Sequence, residues 1–289
     1  MDLGSPAALG RWTVASLVSN MALVVTGGLV RVTGSGLGCS TWPQCEPGSY
    51  TPHPEAGAHA FIEFGNRLLT FVLVAVAIGT LYAAWRARTG SGRPQWSMRA
   101  LAIAAVAGIP LQAVIGGVSV RMQLNPWVVG LHLVASVALI VVCVVMVHHA
   151  YGVRAADVRP VARRIARAVF GVGLLAVVLG VVVTGAGPNS GDGGATRNGL
   201  DLTAAARVHS LSVWVVVLLT IVLMVFTAAT AVHRAVVLLL IVEIFQGAVG
   251  YAQYNLGLPP ALVALHMLGT ALFTAAVAHV WWATRPAED

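Results

Sequence analysis

Long apolar runs dominate this chain, and eight can be read, at roughly 12–32, 60–85, 99–120, 128–150, 165–186, 204–230, 235–254 and 260–283. Each reaches the roughly 20 residues that a helix rising about 1.5 Å per residue needs to cross a hydrocarbon core. A backbone surrounded by lipid has no water to bond, so runs of this kind must be helices. Gly and Ala recur inside them, which suits close helix packing in a bilayer. The pattern predicts an all-α integral membrane protein of eight transmembrane helices.

The polar positions repeat. Residues 111–140 align with 245–274 without a gap, pairing Gln112 with Gln246, Gly116 with Gly250, Leu124 with Leu258, Pro126 with Pro260 and His132 with His266. Thr33-Gly34-Ser35-Gly36 is echoed by Thr184-Gly185-Ala186-Gly187, and Asn66 by His209. Two pseudo-symmetric four-helix bundles are expected, 1–155 and 156–289. An even number of spans in each gives both the same orientation, so they are related by an axis along the membrane normal.

Composition sharpens this picture. Of 289 residues 58% are hydrophobic and 9% charged, against about 25% charged in a soluble domain. All 17 basic residues are arginine, so lysine Schiff-base and P-loop chemistry are excluded. The net charge of +7 follows topology and does not indicate nucleic acid. Connections 86–99 and 151–167 hold Arg86, Arg88, Arg93, Arg99, Arg154, Arg159, Arg163, Arg164 and Arg167. The opposite connections hold Arg121 and Arg197, with Arg31 and Arg207 at their borders. The positive-inside rule then places both termini in the cytoplasm of a plasma-membrane protein. No cleavable signal peptide is expected, because the first apolar run leads to further spans.

The loop carrying Cys39 and Cys45 falls outside, where a disulfide persists, and the two are close enough in sequence to bridge. Cys143 lies in an apolar run and packs as a small hydrophobe.

Helices two, four, six and eight all enter from the outer side, each with a polar candidate in its first two turns. These are Glu63 with Asn66, then His132, His209 and His266. Asn66 faces His132 in one half and His209 faces His266 in the other. Histidine is a common axial ligand of heme iron, and facing helices of a bundle commonly build cofactor sites. The plainer reading of any one of them is a histidine bonded to a neighbouring helix. Glu63 shares a helix face with His59 and Arg67. It is either an ion-pair partner of Arg67 or a carboxylate that positions water or relays a proton. Glu243, deeper in helix seven, is a proton-relay candidate or a structural hydrogen-bonding group. His148, His149, His233 and His279 lie toward the cytoplasmic ends and His53 in the outer loop, where solvated or interfacial roles are expected.

Gly34-Ser-Gly-Leu-Gly-Cys39 with Trp42-Pro43 and Cys45, then Ile62-Glu63-Phe64-Gly65-Asn66-Arg67, resembles the first half of a heme A synthase. Thr184-Gly-Ala-Gly-Pro188 with Gly191-Asp192 is similar to the matching loop of the second half. The resemblance implies an oxidoreductase that hydroxylates the C8 methyl of heme O in successive steps, leaving the formyl group of heme A. It implies that His209 and His266 ligate a resident heme b. It also implies that the first half holds the substrate heme, with His132 as iron ligand and Glu63 at the reacting edge, and that Cys39 and Cys45 match the family's paired outer cysteines. A heme O synthase and an electron donor are the implied partners. Many members have histidine where this chain has Asn66. Asparagine is a poor heme ligand, so His132 alone is left to hold the substrate iron. Two other classes compete: a di-heme electron-transfer cytochrome b, against which Asn66 counts, and a small-molecule transporter, which usually breaks its helices at the midplane.

Overall fold

The computed structural model describes residues 5–88 and 95–286; Arg93, counted above for the orientation, lies outside them. Eight helices follow one another: α1 (Pro6–Val32), α2 (Ala58–Arg86), α3 (Trp96–Arg121), α4 (Pro126–Ala150), α5 (Pro160–Ala186), α6 (Leu202–Thr227), α7 (His233–Asn255) and α8 (Pro260–Ala283). All eight are long and apolar enough to cross a membrane. The described residues contain no β-strand; an isolated bridge joins Glu46 and Ser49 in the connection between α1 and α2. The chain is an all-α, multi-pass membrane protein.

Several helices begin before the apolar run does. α1 starts at Pro6, where the Ser5 side chain accepts from Ala8 N at 3.2 Å and proline occupies the first turn. Such a cap holds a helix end that hydropathy does not register. α4, α5 and α8 likewise open on proline. α6 ends at Thr227, short of the apolar run, because residues 228–232 form a turn into α7. Apolar composition cannot tell a turn buried among helices from the helix itself.

Neighbouring helices define two rings. α1, α2, α3 and α4 pack in sequence and close through α1 against α4; α5, α6, α7 and α8 do the same through α5 against α8. The rings meet where α1 and α4 touch α8 and where α4 touches α5. Among the described residues α2 makes no close backbone approach to α4, and α6 makes none to α8. These are the diagonal pairs, so any space inside a ring lies between them.

Side-chain packing closes each ring at the end where its first helix begins. In the first, Leu9, Ala83, Met98, Cys143 and Met146 form one buried cluster. In the second, Val169, Leu223, Val236, Leu239 and Val277 form another. Val24, Ile140 and Ala271 join the rings. Large apolar side chains such as Leu211, Trp214 and Leu218 are exposed, as a surface solvated by lipid requires.

Candidate functional site

At the end that carries the connection between α1 and α2, the first ring contains a cavity of about 790 Å³, within the usual range for a bound small molecule or cofactor. Its lining includes Glu63 and Asn66 from α2, Gln112 and Gly116 from α3, and His132 from α4. Glu63 and His132 thus reach one space from diagonally opposite helices. Arg31 of α1, with Val181 and Gly185 of α5, extends the lining into the other half.

The loop between α1 and α2 roofs this cavity. Cys39 and Cys45 form a disulfide. Gly38 lies flat against the first turn of α2, where a β-carbon would overlap the His59 carbonyl. That approach delivers the Cys39 N–H to Glu63 Oε2 at 2.7 Å. Glu63 Oε1 takes Arg67 Nη2 at 2.6 Å, and Arg67 also donates to the carbonyls of Thr41 and Gln44. Arg121 of α3 donates to the Trp42 carbonyl at 2.9 Å. Trp42 and Pro43 then line the cavity from above. The ion pair with Arg67 is therefore present, and Glu63, 6% exposed, is also the clamp that fastens the roof. His59 turns away to Ser35 Oγ at 2.9 Å.

The candidates stand at matched positions along their helices. His132 follows Pro126 by six residues and His266 follows Pro260 by six, while His209 is seven after Leu202 and Asn66 eight after Ala58. Local bonding repeats with them. Gln112 Nε2 donates to the His132 carbonyl at 3.1 Å and to Ser136 Oγ. Gln246 Nε2 donates to the His266 carbonyl at 2.8 Å and to Thr270 Oγ1 at 3.1 Å. Ser136 and Thr270 each return a bond to the histidine carbonyl one turn earlier. A glutamine on one helix thereby fixes the rotation of the next, leaving the imidazole itself uncommitted.

The rings of all three histidines lie against glycine. A β-carbon on Gly116, Gly180 or Gly250 would sit 3.1 Å from Cε1 of His132, His209 or His266 respectively. His209 Nδ1 bonds the Ala176 carbonyl at 2.9 Å. A carbonyl only accepts, so Nδ1 carries the proton and Nε2 keeps its lone pair. His132 Nδ1 and His266 Nδ1 are buried without a partner among the described residues. In the first half the equivalent brace is different, with Thr26 Oγ1 of α1 donating to Asn66 Oδ1 at 2.7 Å. His209 and His266 are near enough to act on one another electrostatically.

Gly180, Ala176 and Thr26 escaped the sequence reading, because the face of α1 and α5 that carries them has no matching spacing between the halves. Among the residues read as peripheral, His148 Nε2 meets His279 Nδ1 at 2.7 Å where α4 packs on α8. Glu243, 4% exposed, accepts from Thr220 Oγ1 at 2.8 Å.

Comparison with known proteins bears on this site. The model of the COX15-CtaA family, described as cytochrome oxidase assembly protein, matches residues 10–200. The chain belongs to this family. The matched segment contains the disulfide loop, Glu63, Asn66 and His132, and stops short of His209 and His266. The chain is 30% identical over 132 residues to a heme A synthase of Listeria welshimeri, covering 44% of this chain and 40% of that protein. It is 33% identical over 125 residues to a heme A synthase of Lysinibacillus sphaericus, covering 42% of this chain and 38% of that protein. The matches therefore span about two fifths of these relatives' length.

Proposed function

We propose that this COX15-CtaA family protein is a heme A synthase, oxidising the C8 methyl of heme O to a formyl group by successive hydroxylations. One observation carries the reading: a cofactor-sized cavity brings Glu63 and His132 together from diagonal helices, under a disulfide-bonded roof. In this reading residues 1–155 hold the substrate heme and 156–289 a resident heme b. Relatives that are 30% and 33% identical to the chain over 132 and 125 residues are named heme A synthases, which supports it.

The residues fit a heme. An axial ligand needs an imidazole nitrogen free of other bonds, and Nε2 of His132, His209 and His266 has no hydrogen-bond partner among the described residues. His209 and His266 would hold heme b, with His209 locked in the tautomer that ligation requires. Heme b, when bound, supplies one-electron redox chemistry. His132 would take the substrate iron, and Asn66, held by Thr26, offers no second imidazole. Two ligands suit a group that stays; one suits a group that must leave. Glu63 would accept or orient a proton at the cavity wall, help typically worth about 10²–10⁴ in rate.

Arginine distribution supports cytoplasmic termini and a plasma-membrane setting. A heme O synthase supplying substrate and a donor supplying electrons are the partners this chemistry requires. The test is expression beside a heme O synthase in cells without heme A, followed by heme extraction and mass analysis. Heme A is the expected product; heme O alone would overturn the reading.

A further inference from the structure

Arg31 stands in the sequence as a border charge, but its side chain crosses between the halves. From the last turn of α1 its Nε donates to the Asn189 carbonyl and its Nη2 to the Thr184 carbonyl at 2.6 Å. It lines the cavity beside Gly36, Leu124 and Gly191. A guanidinium has five N–H donors. Two are used, and the remainder have no partner among the described residues.

No carboxylate balances this cation. The ion pairs among the described residues are Glu46 with His53 and Glu63 with Arg67. The acid of the neighbouring loop, Asp192, turns its Oδ1 to Gly194 N at 2.8 Å. The charge that acts on Arg31 is a second cation, Arg197, whose Nη2 reaches the Pro188 carbonyl at 2.6 Å. Arg67, the other arginine of the cavity wall, is neutralised by Glu63 at 2.6 Å. The cavity wall at Arg31 thus carries a positive charge leaning on main-chain carbonyls alone. A charge withdrawn from water without a counter-ion is costly, and a bound anion removes that cost.

We propose that Arg31 is the carboxylate anchor of this cavity, taking a propionate of the porphyrin substrate. The inference rests on the cavity being the porphyrin site. The propionates are the only anionic groups on an otherwise apolar macrocycle. Arginine is suited to them because its planar fork meets a carboxylate through two parallel bonds. The anchor also bears on which carbon is oxidised. The C8 methyl shares its pyrrole with one propionate, so holding that carboxylate at the Arg31 rim sets where the methyl lies.

The test measures binding of metal-free protoporphyrin IX and of its dimethyl ester to the purified full-length protein, followed by porphyrin fluorescence. The diacid is expected to bind the wild type about tenfold or more tightly than the ester, the scale of a charged hydrogen bond. Arg31→Gln should erase the difference, and Arg31→Lys should keep most of it. Equal binding of diacid and ester by the wild type overturns the proposal without any variant. Undiminished diacid binding by Arg31→Gln overturns it as well, while leaving the cavity as a porphyrin site. If neither porphyrin binds the wild type, the reading of the cavity falls and the anchor with it.

Discussion

Glu63 Oε2 accepts the backbone N–H of Cys39 at 2.7 Å, joining a membrane helix to the disulfide loop that covers the cavity. The same carboxylate neutralises Arg67, which grips that loop by two carbonyls. One side chain therefore serves both the roof and the cavity wall. Glu63→Gln keeps the shape but leaves Arg67 without its counter-ion. For a pair that is only partly buried, the expected loss is about 1–3 kcal/mol of stability. A double-mutant cycle with Arg67→Gln in thermal unfolding checks this, with the double variant losing less than the sum of the singles. Cells carrying Glu63→Gln should also accumulate heme O or a hydroxylated intermediate. Normal yields of heme A would confine Glu63 to holding the roof.

The cysteines give a simple chemical count. Cys39 and Cys45 are bonded to one another and Cys143 is a buried free thiol. Denatured without reductant, the protein should take one alkyl group per chain, and after reduction three. Three without reductant would show that the loop is not bridged in the isolated protein. Loss of the bridge through Cys39→Ser should loosen the roof, seen as protease cleavage between residues 40 and 57.

The glycines beside the imidazoles make a sharper test of the histidine sites. Alanine in a helix interior is favoured over glycine by roughly 1 kcal/mol, so Gly180→Ala and Gly250→Ala should fold at least as well as the wild type. Their new methyl group would press on Cε1 of His209 or His266 from 3.1 Å, which the ring relieves only by tilting. The expected result is unchanged or higher thermal stability together with a shifted or diminished heme b absorption spectrum. His209→Ala and His266→Ala should abolish that spectrum. An unaltered spectrum in all four variants would remove these histidines from the cofactor site.

The eight spans were legible because lipid leaves the backbone a single solution, so hydropathy and length decide the element. Their ends were not, since Ser5 caps α1 through one hydrogen bond that no average registers. His132 and His266 stood out because the repeat carries their partners too: Gln112 and Gln246, Gly116 and Gly250 recur at equal spacing and make equivalent contacts in the structure. The disulfide was legible from two cysteines six residues apart in one polar connection. The link from Cys39 to Glu63 was not, because it depends on how a 25-residue connection, 33–57, folds back on α2. The reach of Arg31 depends likewise on how the two rings meet. Periodicity describes a helix and says nothing of which loop lies over it.

Asn66 offers the last test, because it is the position at which the two halves differ most in chemistry. Thr26 Oγ1 of α1 holds its amide oxygen at 2.7 Å, much as the Ala176 carbonyl of α5 holds His209. An imidazole placed there by Asn66→His would have a brace ready on the neighbouring helix, leaving its other nitrogen for the cavity that His132 also lines. The variant is expected to fold, and to retain the first-half heme about tenfold or more tightly, a change of about 1.4 kcal/mol. Heme per chain and the fraction showing a bis-imidazole spectrum should both rise on purification. If single ligation at His132 exists to let the product go, the same change should slow heme A formation, since release limits turnover in many enzymes. Tighter retention with slower turnover supports that account. An Asn66→His protein that gains heme and makes heme A at the ordinary rate would show that exchange is governed elsewhere, with the roof and the Arg31 rim the next places to look.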